Sequence, residues 1–459
     1  MAIETPAPTD TPKTAAQSEA AAQPEAPENG VQSEAERPRI LGLRCRGCGR
    51  LQPIAPEYVC GACFGPLEVA YDYDVAGANL TRERIAARPA GIWRYQELLP
   101  LDAPPARSLA VGSTPLREAP RLGAALDIGR LWLKDDTRNP TLSFKDRVVA
   151  VAAARAVAFG FDTLCCASTG NLAGATAAAA AALGLRAFVF IPADLEPAKI
   201  DHALAYGATV VPIAGTYDDV NRLAVQIADE EGWAFVNVNL RPFYAEGSKT
   251  LGFEIAEGLG WCLPDVVVAP IASGALFTKV ARGFEELARV GLVEAKAVRF
   301  VGGQGAGCAP VATAFAAGTE TFEPVRQPTT IAKSLAIGNP ADGRFALELA
   351  RRTGGSIEAV EDAAVAAAMR QVASLEGIYP ETAGGVTIGA AAQARAAGVI
   401  GPEDEVVILL TGNGLKTPDA RRVGLTDDGP TVRPGQPGLA PTLQPSLTAF
   451  ETWLGEGAA

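Results

Sequence analysis

The chain has 459 residues, of which 48% are hydrophobic and only 6% aromatic, so it is long enough for two or three folded units with large cores. Its formal net charge of −12 argues against a general affinity for nucleic acids or anionic membranes. A single histidine, His202, makes Ser-His-Asp hydrolysis, Cys-His hydrolysis and histidine-rich metal catalysis poor explanations. The chemistry is therefore expected from other residue types.

The composition changes along the chain and predicts its segments. Residues 1–38 are rich in Ala, Pro, Glu and Gln and have almost no large apolar side chains, which predicts a disordered tail. The longest apolar run, 173–185, is too short to cross a bilayer, and no signal pattern opens the chain, so we expect a cytoplasmic protein that does not contact membranes. The remaining predicted segments are a four-cysteine segment at 39–75, a linker at 76–107, a pair of α/β domains at 108–420 and a C-terminal extension at 421–459.

Four cysteines lie close together near the start of the chain. Cys45 and Cys48 form one C-x2-C pair, and Cys60 and Cys63 form a second pair eleven residues later. Two such pairs place four thiolates on tight turns, where they can enclose a tetrahedral Zn²⁺ with no open coordination position. The pattern therefore predicts a structural zinc ribbon, with a pair of disulfides or plain buried thiols as the alternative.

Short β-rich runs then alternate with Ala-rich helical runs. The predicted strands are 163–167, 187–191, 209–213, 266–271, 298–301 and 406–410. Repeated strand-helix units with apolar strands predict doubly wound parallel sheets with helices on both faces. Ligands in such folds bind beyond the carboxyl ends of the strands.

Polar and small residues follow several of these strands. Residues 132–147 end an apolar strand, pass through a turn and deliver Lys145 at the start of a long helix, where its amine can be desolvated for Schiff-base chemistry. Residues 167–171, reading ASTGN, and 270–276, reading PIASGAL, each open a helix whose N–H groups suit an anion. Near the end, residues 411–414 read TGNG. Each turn alone is weak evidence, because glycine-containing turns after strands are common.

Taken together, these motifs resemble a family. The order SFKDR, STGN, a small-residue phosphate loop and TGNGLK resembles the fold-type II pyridoxal 5′-phosphate (PLP) enzymes, whose fold is like that of the tryptophan synthase β subunit, and within them the threonine synthases. The cysteine segment resembles the ribbon found in one branch of that family. Further motifs that carry the resemblance are CFGPLEVAYDYD at 63–74, NLRPFYAEGSKT at 239–250, GCAP at 307–310 and IGNPAD at 337–342.

The resemblance implies roles for individual residues. Lys145 forms the Schiff base with PLP, Asn171 contacts the phenolic oxygen and Thr411 faces the pyridine nitrogen. The implied phosphate cradle of the cofactor consists of Ala272, Ser273, Gly274, Ala275 and Leu276. The implied substrate-binding residues are Ser168 and Thr169 for the carboxylate and Lys134, Arg241 and Lys249 for the phosphate. The arginine that many members place before the EGxKT glutamate is Tyr244 here, and Arg241 lies nearby.

The resemblance also implies an activity, namely conversion of O-phospho-L-homoserine and water to L-threonine and phosphate by a homodimer. The alternatives are cysteate synthase, acting on phosphoserine and sulfite, and a threonine or serine dehydratase. A different class of alternative is a scaffold protein whose ribbon binds a partner and whose PLP domain is vestigial. The intact Lys145 argues for catalysis, and the ribbon arginines are balanced by nearby acidic residues, which argues against nucleic-acid binding.

Overall fold

The computed structural model describes residues 37–168, 170–193, 195, 197–418, 420, 423 and 442–455. Among these residues, no helix is both long and apolar enough to cross a bilayer. The described chain begins with a small antiparallel sheet in the order β2-β1-β3, formed by β1 (Ile40–Cys45), β2 (Leu51–Gln52) and β3 (Leu67–Tyr71). Leu43 and Val69 face each other across β1 and β3 and are both buried, which gives this four-cysteine segment, called the ribbon below, an apolar side.

Two larger sheets follow the ribbon. The six-stranded sheet has the order β12-β11-β10-β13-β5-β4, and every pair is parallel except β4 with β5. Its strands are β4 (Leu116–Glu118), β5 (Arg130–Asp135), β10 (Val266–Pro270), β11 (Arg299–Gly305), β12 (Ser356–Val360) and β13 (Glu405–Leu410). Strands β10 and β13 are buried along their whole length, as expected for parallel strands covered on both faces.

The four-stranded sheet is formed by the chain between β5 and β10. It has the order β8-β7-β6-β9 and is parallel throughout. Its strands are β6 (Thr163–Ala167), β7 (Arg186–Pro192), β8 (Thr209–Ile213) and β9 (Ala234–Phe235). The two parallel sheets confirm the predicted fold class of paired doubly wound domains, and the six predicted strands are present within one or two residues, except that β11 extends four residues beyond the predicted end.

Helices cover both sheets. Before the sheets come α1 (Tyr73–Gly77) and α2 (Arg82–Ala86). The helices α3 to α8 are Pro120–Leu126, Lys145–Ala158, Asn171–Leu183, Pro197–Leu204, Tyr217–Glu231 and Arg241–Gly247. The helices α9 to α15 are Lys249–Gly258, Ala275–Arg289, Pro310–Ala316, Gly343–Arg352, Asp362–Glu376, Thr382–Ala396 and Leu447–Gly455. The buried residues of helix α5 are mostly Ala and Gly, which allows the helix to pack closely on α4 and on β6 and β7.

The architecture brings several strand ends together. The carboxyl ends of β6, β10 and β13 lead directly into Ser168, Ile271 and Thr411. A cavity of about 170 Å³ lies beyond these strand ends and is lined by residues from both parallel sheets. This is the place where an open α/β fold binds its ligand.

Candidate active site

Lys145 begins α4 and lines the cavity. The loop before it is held by the segment that follows β13, because Phe144 N donates to Thr411 O at 2.9 Å and Asn413 N donates to Leu142 O at 3.0 Å. Leu142 has a φ of +60°, an unfavourable conformation for a leucine. The loop before α4 and the segment after β13, which are far apart in the sequence, are therefore hydrogen-bonded to each other, and this contact fixes the first turn of α4.

The amine of Lys145 is in an environment that favours its neutral form. Its Nζ donates to the Tyr244 hydroxyl at 2.8 Å and lies 4.7 Å from the centre of the Phe144 ring. Burial lowers the pKa of Lys145 to about 8, against the opposing effects of the Glu381 and Cys166 charges. A lysine with this pKa has a substantial unprotonated fraction near neutral pH, which a nucleophilic or basic amine requires.

Arg147 lies two residues further along α4, fully buried among acidic side chains. Its guanidinium donates to Asp136 at 2.7 and 2.9 Å and to Glu254 at 2.6 and 2.7 Å. These carboxylates hold the pKa of Arg147 above its usual value despite the burial. Thr114, Thr250 and Lys134 also belong to this group, which we call the buried ion network. The network fixes the start of α4 and so determines where Lys145 points.

Asn171 begins α5 and lines the cavity opposite Lys145 on the other sheet. Its Nδ2 donates to both carboxylate oxygens of Glu381, at 2.7 and 2.8 Å. Its Oδ1 is buried and has no hydrogen-bond partner in the protein. Because the carboxylate only accepts hydrogen bonds, Glu381 fixes the orientation of this carboxamide. Glu381 was not among the predicted site residues, and nothing in the sequence distinguishes it from the other acidic residues at helix starts.

The loop after β10 forms a cradle at the start of α10. All five residues of the predicted cradle line the cavity, namely Ala272, Ser273, Gly274, Ala275 and Leu276. Gly274 has a φ of +94°, and a Cβ atom there would come within 2.8 Å of the Asp342 carbonyl oxygen. The cradle therefore needs glycine at this position, and its N–H groups open a helix of fifteen residues whose N-terminus favours an anion.

The structure brings only part of the predicted substrate set to the cavity. Ser168 and Arg241 line it, as does Thr411 from the cofactor set, whereas Thr169 lies outside the described residues. The Ser168 hydroxyl accepts from Gly170 N at 2.9 Å and from Ala173 N at 3.0 Å, so it caps the start of α5. Apart from Lys145, Arg241 is the only cationic side chain among the described residues that line this cavity.

The structure does not bring Lys134 and Lys249 to the cavity. Lys134 Nζ lies 2.6 Å from Glu254 in the buried ion network, and the residue is 1% exposed. Lys249 is fully buried and pairs with Glu246 at 2.5 Å and Glu286 at 2.9 Å. Each of these amines neutralises buried carboxylates, and a substrate would have to displace those partners at high cost. Sequence spacing does not reveal that a lysine is paired inside the core.

The ribbon cysteines form a second candidate site. The four Sγ atoms of Cys45, Cys48, Cys60 and Cys63 lie within 4.8 Å of one another. Cys45 and Cys63 are 3.4 Å apart and Cys48 and Cys60 are 3.8 Å apart, close to the sulfur separation of about 3.8 Å that a tetrahedral Zn²⁺ with bonds of about 2.3 Å requires.

The peptide groups around these thiols also suit a metal. Cys48 N and Gly47 N approach Cys45 Sγ at 3.4 and 3.3 Å, and these N–H groups hold the pKa of the Cys45 thiol at about 6. A Cβ atom at position 65 would come within 2.8 Å of Cys45 Sγ, so Gly65 leaves room for the sulfur cluster. All four thiols are free rather than disulfide-bonded. The donor set and the spacing therefore fit a structural Zn²⁺.

Comparison with known proteins gives the chain a family context. The profile of the family described as "Pyridoxal-phosphate dependent enzyme" matches residues 107–412. The chain is 34% identical over 379 residues to the threonine synthase of Methanocaldococcus jannaschii, covering 82% of this chain and 93% of that protein. It is 35% identical over 349 residues to the threonine synthase of Mycobacterium tuberculosis, covering 75% of this chain and 92% of that protein.

Solved structures show the same fold at lower identity. Threonine deaminase isoform 2 from Solanum lycopersicum superimposes with a TM-score of 0.56 at 22% identity, covering 68% of this chain and 82% of that chain. Diaminopropionate ammonia lyase from Escherichia coli superimposes with a TM-score of 0.58 at 18% identity, covering 75% of this chain and 92% of that chain. At these identities the likeness supports the fold and leaves the substrate open.

Proposed function

Because the chain belongs to the family of pyridoxal-phosphate dependent enzymes, and within it to the threonine synthases, we propose that it converts O-phospho-L-homoserine and water to L-threonine and phosphate. The observation that carries this proposal is the amine of Lys145, which is desolvated in a cavity between the two sheets. The similarity of the threonine synthase relatives over nearly their whole length favours this substrate among those that the fold accepts.

The residues of the cavity fit PLP. Lys145 offers an amine for the aldehyde, and the cradle around Gly274 offers helix N–H groups for the phosphate. Asn171 has a buried, unpartnered oxygen and a carboxamide held by Glu381, which fits a polar ring substituent. Thr411 lines the cavity after β13, where its hydroxyl would face the ring nitrogen. A hydroxyl there instead of a carboxylate would leave that nitrogen largely unprotonated.

Lys145 is the group that moves protons in this proposal. Bound PLP supplies an electron sink that makes the protons next to the substrate amine acidic. Lys145 takes the proton from Cα and passes it to the leaving phosphate, so that the amine is free to take a proton from Cβ as the C–O bond at Cγ breaks. It returns the Cβ proton to Cγ. Water then adds its hydroxyl at Cβ, and Lys145 transfers the remaining proton of that water to Cα. The Tyr244 hydroxyl, 2.8 Å from Nζ, keeps the amine pointing into the cavity during these transfers.

Two parts of the cavity are proposed to bind the ends of the substrate. Ser168 and the N–H groups at the start of α5 form the proposed carboxylate site, and the predicted Thr169 lies outside the described residues. Arg241 is the proposed cation for the substrate phosphate, because Lys134 and Lys249 are paired inside the core. The guanidinium of Arg241 has a planar fork of N–H donors that matches two phosphate oxygens, a geometry that a lysine ammonium lacks.

The test is a product assay on the purified full-length protein. We expect threonine and phosphate to form from O-phospho-L-homoserine in equal amounts. Neither product should form with Lys145→Ala, whereas Arg186→Ala, a change of an exposed side chain at the amino end of β7, should keep turnover within about threefold. Equal loss in both variants, or release of phosphate without threonine, would contradict the proposal.

The same assay separates the alternatives. Turnover of phosphoserine with sulfite would indicate a cysteate synthase, and ammonia release from threonine or serine would indicate a dehydratase. A protein with PLP bound but no turnover of any of these substrates would favour the scaffold alternative. The homodimer, the cytoplasmic location, the lack of nucleic-acid binding and the segment boundaries stay predictions. Sedimentation of the full chain tests the first of these.

A further inference from the structure

Arg241, the proposed phosphate cation, forms a salt bridge with Asp342. Its Nη2 lies 2.6 Å from Oδ2 of Asp342, whose side chain is 9% exposed. Asp342 also contacts the cofactor cradle, since its N–H donates to Ser273 O at 2.7 Å and its carbonyl oxygen lies against Gly274. Asp342 therefore joins the substrate cation to the cradle.

The other oxygen of Asp342 is bound by the ribbon. Nη1 of Arg46 lies 2.9 Å from Asp342 Oδ1, and the Arg46 guanidinium stacks 3.3 Å from the centre of the Phe345 ring on α12. Arg46 is also 3.9 Å from Glu68 on β3. One carboxylate is therefore shared by two arginines that are 195 positions apart in the sequence.

Arg46 affects how strongly Asp342 attracts Arg241. Arg46 binds Oδ1 of Asp342, so only Oδ2 is paired with Arg241. Without Arg46, both oxygens of Asp342 would be available to Arg241 and would attract its guanidinium more strongly, in competition with an anion in the cavity. Arg46 thus acts on Arg241 through Asp342, although it does not line the cavity itself.

Arg46 is placed by the candidate metal site. It lies inside the first C-x2-C pair, between Cys45 and Cys48, and its backbone N–H donates to Pro66 O at 2.9 Å. A metal on the four thiolates would hold this turn in one conformation, and with it the base of the Arg46 side chain.

We propose that the ribbon contributes a positioning residue to the active site. A metal held by its four cysteines positions Arg46, and Arg46 and Asp342 together orient Arg241 to bind the substrate phosphate. Arg46 and Asp342 are positioning residues in this arrangement. The inference rests on the proposed function for the identity of the substrate, but the anion subsite itself does not depend on turnover.

The first test measures binding of inorganic phosphate to the PLP-loaded full-length protein by titration calorimetry. We expect Arg46→Ala to raise the dissociation constant about tenfold, within the usual range of coupling between two sites. Arg46→Lys, which keeps a positive charge, should recover part of the loss. The matched control is Arg50→Ala, which removes an equal charge from an exposed part of the ribbon and should stay within about twofold. The cofactor absorbance should be the same in all four proteins.

The second test concerns the metal. We expect about one zinc per chain in the purified protein. Removal of this zinc by a chelator should weaken phosphate binding by the wild type as much as Arg46→Ala does, and added Zn²⁺ should restore the binding. In Arg46→Ala protein, the chelator should weaken phosphate binding little further. With O-phospho-L-homoserine, KM should rise in Arg46→Ala more than kcat falls.

These results would overturn the inference in separable ways. Phosphate binding by Arg46→Ala equal to that of the wild type would remove Arg46 from the arrangement. Absence of zinc from the wild type, or independent losses of phosphate affinity from chelation and from Arg46→Ala, would show that a metal does not position Arg46. Wild-type protein that does not bind phosphate would remove the anion subsite. Failure of the proposed function is distinct, since it would leave phosphate binding and its dependence on Arg46 intact while no threonine forms.

Discussion

The desolvated amine of Lys145 makes a prediction about how the apoprotein captures its cofactor. Only an unprotonated amine attacks an aldehyde, so the capture rate follows the fraction of Lys145 that is neutral. With a pKa lowered from 10.5 to about 8, about 10% of the amine is neutral at pH 7, compared with ~0.03% for an ordinary lysine. The environment of Lys145 therefore raises the reactive fraction about 300-fold at that pH.

The assay is stopped-flow absorbance after mixing apoprotein with PLP at a series of pH values. We expect the rate to rise about tenfold per pH unit up to pH 8 and then to level off. Nα-acetyl-lysine under the same conditions serves as the control for the titration of PLP itself, and its rate should continue to rise toward pH 10. A rate for the protein that also rises toward pH 10 would refute the argument that burial lowers this pKa.

Substitution of Glu381 should also shift the pH dependence of the rate of PLP capture. Its negative charge stabilises the protonated amine and opposes the effect of burial on the pKa of Lys145. Glu381→Gln should therefore move the levelling point to lower pH, whereas Glu381→Asp should leave it closer to the wild type. A shift of the Glu381→Gln profile to higher pH would contradict this reading of the site.

Three further predictions concern the structure around the site. Arg147→Met should destabilise the protein by about 3–5 kcal/mol in a denaturant titration, since it leaves buried carboxylates without their partner. The loss should be smaller when Asp136→Asn is added, and strict additivity of the two changes would argue against a shared network. Gly274→Ala should weaken PLP binding more than tenfold in a cofactor titration, because its Cβ atom would meet the Asp342 carbonyl oxygen and the backbone there has a positive φ. Unchanged PLP affinity would show that the cradle tolerates a side chain. Removal of zinc, or Cys60→Ser, should lower the protection of the ribbon amides against hydrogen exchange, and protection equal to that of the untreated protein would count against a bound metal.

The sequence was sufficient to predict the fold class and the position of Lys145. Alternation of apolar strands with Ala-rich helices specifies parallel sheets, since burial on both faces of a strand leaves a continuous apolar run. The site lies at strand ends in such folds, so the turns after β6, β10 and β13 were identifiable in advance. The four cysteines were equally clear, because thiolate spacing within one short segment is a local property.

Only the tertiary structure decided which polar residues act together. Lys134 and Lys249 looked like substrate cations, but folding places each of them against buried carboxylates, where the cost of an unpaired charge dictates the pairing. Glu381 and Asp342 lie 210 and 101 residues from the side chains that they orient, Asn171 and Arg241. The spacing of a motif indicates contacts between residues that are close in the sequence. These charged residues belong to elements of two sheets and the ribbon, so their partners are determined by the packing of those elements.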